Sequence, residues 1–415
     1  MDKDLIKKVL LDQEKKLPKH YVRRDVEKKV RKSFEDKFVT VISGIRRSGK
    51  STLMKKISTE DHFYVDFEDE RFMQFTVQDF QTLQEVLIEL YGTKDTFLFD
   101  EIQNVQGWER FVRRLHDQEK KICVTGSNAS MLSKELGTRL TGRNIRIELY
   151  PYSFKEYVKR HNINVKKPLN TNQRALIKKR FNEYLQQGGF PQYIQTQNKD
   201  YLKNLYSNII YRDVVTRHKL KKEKALLQLT NYISTNITNP TNYNKLSKHV
   251  GVKSPETVKD YIHFLQESYL VFELQKFSYS IKKQVKNDKK YYFIDAALRN
   301  QTAFTFSEDY GKLLENAMFL HFKQRSHEMY YYKEKGECDF IVQTKQKHAI
   351  QVIKKLSNQN KEREIQGVLE AMNYFNLNKG YIITENQEKT ITKNNKTIYV
   401  LPAWKELLYS SILNT

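Results

Sequence analysis

The sequence predicts an α/β fold in which helices wrap a parallel β-sheet, followed by helical and mixed α/β regions. Over the first 150 residues, short apolar runs typical of strands alternate with segments of helix length. Such alternation favours parallel strands joined by crossover helices. The chain is also long, at 415 residues, and domains commonly hold about 100–150 residues. Several domains are therefore expected.

Five strand-like runs define the predicted sheet, at residues 38–43, 62–67, 96–99, 121–125 and 144–149. Residues 1–36 precede it as an N-terminal helical lead-in, and the sheet domain is predicted over 37–152. Three further regions follow, with a helical lid or connector at 153–218, a winged helix at 219–290 and an α/β domain at 291–415.

The composition is typical of a folded protein outside membranes. Hydrophobic residues make up 39% of the chain and aromatic residues 12%, which is too apolar for a disordered polymer. No apolar run of about 18 residues occurs, so we expect a cytoplasmic protein without membrane contact. Cys123 and Cys338 match neither zinc-ligand spacing nor a disulfide framework, so reduced thiols are expected.

The chain is strongly basic. Lys and Arg number 73 against 49 Asp and Glu, a net charge of +24. Such an excess favours binding to phosphate polymers through counterion release. A protein from a lysine-rich proteome, in which lysine is the default surface residue, would carry the same charge, so both interpretations stay open.

A glycine-rich loop follows the first predicted strand. Residues 44–51 fit G-x-x-x-x-G-K-[ST] and precede a helical run. Backbone N–H groups of such a loop, together with the N-terminus of the next helix, bind phosphates. Lys50 is expected to reach the β- and γ-phosphates of ATP, and Ser51 to ligate Mg²⁺. The predicted nucleotide-binding residues are Gly44, Arg47, Ser48, Gly49, Lys50, Ser51 and Thr52.

Two acids end a later apolar strand, at Asp100 and Glu101. An Asp in this position binds Mg²⁺ through water, and the next acid activates a water molecule against the γ-phosphate. We therefore predict that Asp100 is a Mg²⁺ residue and Glu101 the general base. Outside the context of a phosphate loop, the same pattern is commonly a solvated turn.

Two further elements of the predicted ATP site carry alternatives. Asn128 or Ser127, after the next strand, is expected to contact the γ-phosphate or the attacking water, although both also suit a helix cap. Arg143, or as second choice Arg139, precedes the last strand and is expected to stabilise charge on the ATP of a neighbouring copy. The alternative is that both arginines form surface ion pairs.

Together these motifs resemble the AAA+ superfamily. More narrowly, they resemble archaeal and bacterial ATPases that couple an AAA domain to a C-terminal domain of uncharacterised function with a restriction-endonuclease-like core. The likeness covers most of residues 20–400 and rests on residues 43–51, 98–103, 125–128, 142–143, 151–156 and 188–191. The resemblance implies that Arg143 acts on a neighbouring subunit, and hence a homo-oligomer of unspecified size.

The region 219–290 is rich in lysine, with 14 Lys and 6 acidic residues. Residues 243–251 and 254–262 read as helix, turn, helix, which predicts binding of duplex DNA. The expected contacts are Lys253, Thr257 and Lys259 in the major groove, with Lys282, Lys283 and Lys286 on phosphates. Winged helices within ATPases also serve as lids or protein contacts, and that alternative stays open.

Two apolar segments near the C-terminus resemble a PD-(D/E)xK nuclease core. In such a core, one strand carries an acid, and the next strand carries an acid or Gln followed by a Lys. These side chains converge on a metal ion. The candidates are Glu315, Glu337, Asp339, Gln351 and Lys354. Gln351 stands where an acid is usual, and Lys354 arrives one residue late, on the wrong face of a regular strand. The sequence therefore favours a retained but inactive fold.

Three functions are consistent with these patterns. The first is an ATP-hydrolysing switch or motor that binds DNA through the winged helix and the C-terminal domain. The second is an ATP-gated, metal-dependent endonuclease. The third is a signalling or scaffold ATPase whose winged helix contacts a protein.

Overall fold

The computed structural model describes residues 1–13, 21–36, 38–58, 61–129, 140, 142–304, 309–325 and 327–413. The chain divides into two compact units. The first contains residues 1–150 with 267–269, and the second contains 151–266 with 270–415. Within the described ranges, no helix has the length and apolar character needed to cross a membrane.

The first unit is built on a parallel sheet, which confirms the α/β class and the parallel arrangement predicted for this region. Five strands are described, in the spatial order β2-β3-β4-β1-β5. They are β1 (Val39–Ser43), β2 (Phe63–Asp66), β3 (Thr96–Asp100), β4 (Lys121–Gly126) and β5 (Asn144–Glu148). All the carboxyl ends meet at one edge, because the paired strands run parallel.

Helices cover both faces of this sheet. They are α1 (Lys3–Asp12), α2 (Glu27–Glu35), α3 (Lys50–Ile57), α4 (Phe80–Tyr91) and α5 (Trp108–Asp117), with 3₁₀ turns at Glu70–Phe72, Val77–Asp79 and Ile102–Asn104. Successive strand residues point to opposite faces. Val41 thus joins a core with Phe99 and Trp108, whereas Ile42 packs with Leu53 on the other face.

The second unit begins with helices. They are α6 (Phe154–Arg160), α7 (Thr171–Gln187), α8 (Pro191–Thr196), α9 (Lys199–Asn208), a π-helix (Ile209–Thr216), α10 (Glu223–Thr235), α11 (Tyr243–His249) and α12 (Pro255–Glu267). An antiparallel pair follows, formed by β6 (Val271–Gln275) and β7 (Lys289–Phe293), with α13 (Ile281–Lys286) between them. Strand β7 runs through residue 290, where the sequence places a domain boundary.

The C-terminal part of the second unit is a mixed sheet flanked by helices. After α14 (Ala296–Thr302) and α15 (Tyr310–Lys323) come three antiparallel strands, β8 (Glu328–Lys333), β9 (Glu337–Gln343) and β10 (Lys347–Val352). The chain continues through α16 (Lys361–Tyr374), β11 (Lys379–Thr384), β12 (Lys389–Lys393), β13 (Lys396–Pro402) and α17 (Ala403–Tyr409). The described strands lie in the order β12-β13-β11-β10-β9-β8.

A tight turn between α7 and α8 explains the Gly-Gly-Phe-Pro segment. The carbonyl of Gly189 accepts a hydrogen bond from Tyr152 N at 2.8 Å, and Gly189 N donates to the Asp295 carboxylate at 2.6 Å. A Cβ atom on Gly189 would lie 2.3 Å from the Tyr152 carbonyl oxygen, and one on Gly188 would lie 2.2 Å from the Asp295 carboxylate. The backbone therefore packs too closely for any side chain here.

Replacing Gly189 by alanine should destabilise the protein, because its new methyl group would overlap a backbone oxygen. We expect a loss of about 1–3 kcal/mol in the free energy of unfolding, measured by urea titration. Gly311→Ala is the matched control, since a Cβ at Gly311 meets nothing within 4 Å and alanine favours helices by up to about 1 kcal/mol. Equal unfolding midpoints for the two variants would contradict the packing account.

Candidate functional site

The predicted phosphate loop connects β1 to α3 at the carboxyl edge of the sheet. A Cβ on Gly44 would lie 2.1 Å from the Leu149 carbonyl oxygen, so only glycine lets the loop pass this close to the segment after β5. Gly49 has a φ of 100° and immediately precedes α3, whose first residue is Lys50. Helix α3 therefore directs its N-terminus, with its positive partial charge, toward the loop.

Arg24 braces this loop, a role that the sequence did not predict. Its Nη1 donates to the Ser48 carbonyl at 2.9 Å, and its Nη2 donates to the Tyr150 carbonyl at 2.5 Å. Arg24 is only 6% exposed. One guanidinium thus ties the loop to the segment that follows β5, across large separations in sequence.

Lys50 and Glu101 form a buried ion pair. Lys50 Nζ lies 3.1 Å from Glu101 Oε1 and 3.4 Å from the Ile45 carbonyl oxygen. Lys50 is 4% exposed and Glu101 is 8% exposed. The structure therefore brings together the predicted phosphate-binding lysine, at the start of α3, and the predicted general base, directly after β3.

Glu101 is held as a carboxylate. Burial alone would raise its pKa, but the charge of Lys50, a hydrogen bond from Gln103 and the charge of Arg46 together lower the pKa to about 2. Gln103 Nε2 donates to Glu101 Oε2 at 2.6 Å, and Ser127 N donates to the same oxygen at 3.2 Å. Glu101 is thus ionised throughout the physiological pH range.

Asp100 lies beside this pair, in contact with Ser51. The side chain of Ser51 hydrogen-bonds the Asp100 carboxylate, as do the hydroxyl of Thr125 and, at 2.8 Å, that of Tyr64. Burial and the adjacent Glu101 charge raise the pKa of Asp100 despite these hydrogen bonds. The two residues predicted to hold Mg²⁺ are therefore neighbours in space.

The segment after β4 contacts both acids. Thr125 Oγ1 accepts a hydrogen bond from Glu101 N at 3.0 Å while its own hydroxyl donates to Asp100. Ser127 contributes its backbone N–H to Glu101, and Asn128 is fully buried. The sequence singled out Ser127 and Asn128 but not Thr125, whose position as the partner of Asp100 follows from the pairing of β3 with β4.

A cavity of about 610 Å³ opens at this edge of the sheet. This volume lies within the range of about 300–1,000 Å³ that is typical of small-molecule sites. Arg47, Ser51, Thr52, Lys55 and Asp100 are among its lining residues. The cavity thus includes several of the predicted nucleotide-binding residues together with the Mg²⁺ pair.

Arg143 lies at the opposite edge of the sheet from the phosphate loop. Its carbonyl accepts a hydrogen bond from Val39 N at the start of β1, and its guanidinium lies 3.0 Å from Asp117 Oδ1. The side chain of Arg143 is 39% exposed. Arg139 lies outside the described residues.

In the second unit, the nuclease-like candidates Glu315, Glu337 and Asp339 converge on the ammonium of Lys290. Gln351 joins them, because its Oε1 accepts from Asp339 N at 3.1 Å.

Lys354 does not join this group. It follows the end of β10, is exposed, and places its ammonium 4.8 Å from the centre of the Tyr310 ring. The sequence did not single out Lys290, which lies within a run of buried residues on β7. Burial would lower the pKa of Lys290, but Asp339, Glu315 and the other nearby groups raise it well above its usual value.

The residues predicted to bind DNA lie on, or just before, two helices of the second unit. Thr257 and Lys259 belong to α12, which Lys253 precedes, and the remaining three lysines belong to α13. Lys253, Lys259, Lys282, Lys283 and Lys286 are all exposed, and Thr257 is half-buried. Lys259 Nζ also lies 3.2 Å from Glu256.

Two solved structures show limited similarity to this chain. One is a signal transduction ATPase with numerous domains (STAND) protein of Pyrococcus horikoshii, which has a tetratricopeptide repeat sensor. It is 13% identical with a TM-score of 0.29, over 75% of this chain and 46% of that one. The other is a DNA polymerase III, gamma subunit-related protein of Thermotoga maritima, 15% identical with a TM-score of 0.25, over 72% of this chain and 85% of that one.

Sequence relatives match over most of the chain. An uncharacterized protein of Methanocaldococcus jannaschii is 36% identical over 390 residues, covering 88% of this chain and 87% of the relative. An uncharacterized protein of Haemophilus influenzae is 30% identical over 323 residues, covering 73% of this chain and 79% of the relative.

Domain families match three parts of the sequence. Residues 36–158 match an AAA domain, and residues 178–328 and 310–405 match two domains of unknown function, DUF8612 and DUF4143. Because the Methanocaldococcus jannaschii protein is 36% identical over most of this chain, the chain belongs to the same family as that protein. With its AAA domain, the chain is a P-loop ATPase.

Proposed function

We propose that this protein is a Mg²⁺-dependent, ATP-hydrolysing switch or motor that binds duplex DNA and whose copies share their ATP sites. The observation that carries the ATP part is the buried contact of Lys50 with Glu101, beside Asp100, at the carboxyl edge of a parallel sheet. Ligands of open α/β sheets bind at this edge. The three side chains have the chemistry that phosphoryl transfer to water requires.

Lys50 and Glu101 have separate tasks in the proposed cycle. Lys50 donates to phosphate oxygens, and to do so its ammonium leaves Glu101 Oε1. Glu101 keeps its hydrogen bonds from Gln103 and Ser127, which hold the carboxylate in place to accept a proton from water. Nucleotide binding and release of the base are thus linked through one ammonium group.

Ser51 and Asp100 fit the Mg²⁺ that accompanies ATP. Both side chains offer oxygen atoms, and they are already hydrogen-bonded to each other. Mg²⁺ is usually held by one or two carboxylates together with substrate phosphates and water. When bound, Mg²⁺ neutralises charge on the transferred phosphoryl group.

The position of Arg143 supports a shared ATP site. Strand β5 has five residues and separates Arg143 from the carboxyl edge, a distance of about 16 Å at 3.3 Å per residue. Arg143 therefore does not reach the ATP site of its own subunit. Its partly exposed guanidinium is available to a neighbouring copy if it leaves Asp117.

Exposed lysines on α12 and α13 support the DNA-binding proposal. Lys282, Lys283 and Lys286 project from the connection between β6 and β7, where a winged helix contacts the DNA backbone. The connection also favours a second candidate partner, another protein, because Tyr279 and Ile281 are each 79% exposed. Exposed apolar side chains that lie together are typical of protein interfaces.

Mixing two inactive variants tests the shared site. Arg143→Ala should lower ATP turnover by about a thousandfold if it acts as an arginine finger, and Glu101→Gln should block hydrolysis. Mixed oligomers contain sites in which an intact Glu101 faces an intact Arg143, so turnover should recover partly. The measurement is phosphate release across a range of mixing ratios.

Arg113→Ala is the control for this mixing experiment. Arg113 also lies beside Asp117, with its Nε 3.7 Å from Oδ2, and its side chain is half exposed. It should keep wild-type turnover without mixing. Absence of recovery at every ratio of the Arg143 and Glu101 variants would contradict the shared site.

A second test concerns duplex DNA. ATP turnover by the wild-type protein should rise when duplex DNA is added, and the increase should fade as salt rises. Changing Lys282, Lys283 and Lys286 together to Glu should reduce the slope of log affinity against log salt by about three, if each lysine contacts one phosphate. Lys50→Ala provides the blank for turnover.

The control for the DNA experiment changes three exposed lysines on one helix of the first unit, Lys28, Lys29 and Lys32 of α2, to Glu. These variants carry the same change of charge, so they separate local contacts from the general effect of net charge. Equal salt slopes for the two triple variants would remove α13 from the DNA interface. ATP turnover that does not respond to DNA at low or at high salt concentration would favour the protein partner.

A further inference from the structure

The second unit contains a cation inside its cluster of carboxylates. Lys290 Nζ lies 2.8 Å from Asp339 Oδ1, 2.8 Å from Glu337 Oε1 and 3.2 Å from Glu315 Oε1. The three acids come from α15 and β9, whereas Lys290 comes from β7. A single ammonium group thus contacts one oxygen of each acid that the nuclease resemblance assigns to a metal ion.

This ammonium is enclosed. The side chain of Lys290 is 1% exposed, those of Asp339 and Glu315 are 6% and 11% exposed, and that of Glu337 is 30% exposed. Burying a charged lysine costs free energy unless carboxylates compensate it. The acids around Lys290 do so here, although burial and the charge of Asp339 raise the pKa of Glu315 to about 8. The lysine is therefore stable in this position only as part of the cluster.

Further hydrogen bonds reach these acids and Gln351. Tyr292, two residues along the same strand, donates its hydroxyl to Glu315 Oε1 at 2.8 Å. Asp339 Oδ2 accepts from Val352 N at 2.9 Å. Gln351 is also engaged, because its Nε2 donates to Glu364 at 2.8 Å. The polar groups of the cluster are therefore directed at each other.

These residues do not fit the metal ion of a PD-(D/E)xK nuclease. A divalent ion needs the oxygens of Asp339 and Glu315, which Lys290 contacts, and it would be repelled by an ammonium group at the same place. Within the described ranges, no group of three or more His, Cys, Asp or Glu residues is arranged to hold a metal ion.

We propose that Lys290 is the permanent cation of this cluster, so that the C-terminal region neither binds a divalent metal ion there nor cleaves nucleic acid. A catalytic lysine in such a nuclease acts beside the metal and must leave the carboxylates free for it. Lys290 instead contacts all three, from a position that solvent and a phosphodiester do not reach.

The same contacts give the cluster a structural role. Besides Lys290 and Tyr292, the backbone of Phe293 makes two hydrogen bonds with the Asn316 side chain, at 2.8 and 2.9 Å. Strand β7 is therefore fixed to α15 by both side chains and backbone. The lysine joins the β6–β7 pair to the C-terminal sheet in place of a metal ion.

The test measures Mn²⁺ binding to the full-length, nucleotide-free protein by electron paramagnetic resonance. Wild type and Asp339→Asn should bind the same number of ions, because Asp339 does not hold a metal ion in either protein. Lys290→Ala should bind one more ion, since the cation has gone and the three acids remain. The double variant Lys290→Ala, Asp339→Asn should lose that additional ion.

Lys289→Ala is the matched control. Lys289 is a buried lysine on the same strand, 3% exposed, but its ammonium donates to the carbonyls of Val285 and Asn287. Its removal should leave Mn²⁺ binding unchanged. A folded Lys290→Ala protein that gains no ion would overturn the claim that the ammonium takes the metal position.

Two results with the wild-type protein would also overturn the proposal, even if Lys290→Ala does not fold. One is a Mn²⁺ ion that wild type binds and Asp339→Asn does not. The other is cleavage of plasmid DNA that requires Mn²⁺ and disappears in Asp339→Asn. Identical Mn²⁺ binding by these two proteins, without cleavage, supports the proposal.

Discussion

The buried ion pair between Lys50 and Glu101 is the interaction on which the proposed ATP site depends. It joins the helix that follows the phosphate loop to the end of β3, and the cost of leaving either charge unpaired in such a position is about 3–5 kcal/mol. Arg24 fixes the loop from outside through the Ser48 carbonyl. Phosphates would compete with Glu101 for the Lys50 ammonium. In the proposed cycle, ATP must therefore break the contact between Lys50 and Glu101 before Lys50 can bind its phosphates.

Local signals explain how much of this site could be predicted. The loop is visible in the sequence because its backbone requires glycine at fixed positions, as the close approach of Gly44 to Leu149 shows. The acids after β3 follow from an apolar strand that ends in polar residues. Arg24 and Thr125 were not predicted, because their partners are far along the chain and are fixed by packing. Arginine and threonine carry no local pattern that reports such contacts.

In the C-terminal cluster too, some residues could be predicted from local sequence patterns, whereas one could be found only from the fold. Strand spacing was sufficient to group Glu337, Asp339 and Gln351, and it placed Lys354 on the wrong face. Lys290 lies 49 residues before Asp339. In a chain with 73 basic residues, a single lysine is expected to be a surface residue. Only the fold shows that it is enclosed. The acids resemble a metal site in the sequence, but one distant residue, Lys290, changes what the cluster can bind.

The most direct test of the account is ATP turnover and ATP affinity in wild type and Glu101→Gln, with Mg²⁺ present. The account predicts that wild type hydrolyses ATP, whereas Glu101→Gln hydrolyses it at least about a hundredfold more slowly and binds it as tightly as wild type or more so, since Lys50 no longer has a carboxylate to leave. Equal turnover in the two proteins, or loss of ATP affinity in Glu101→Gln, would contradict it.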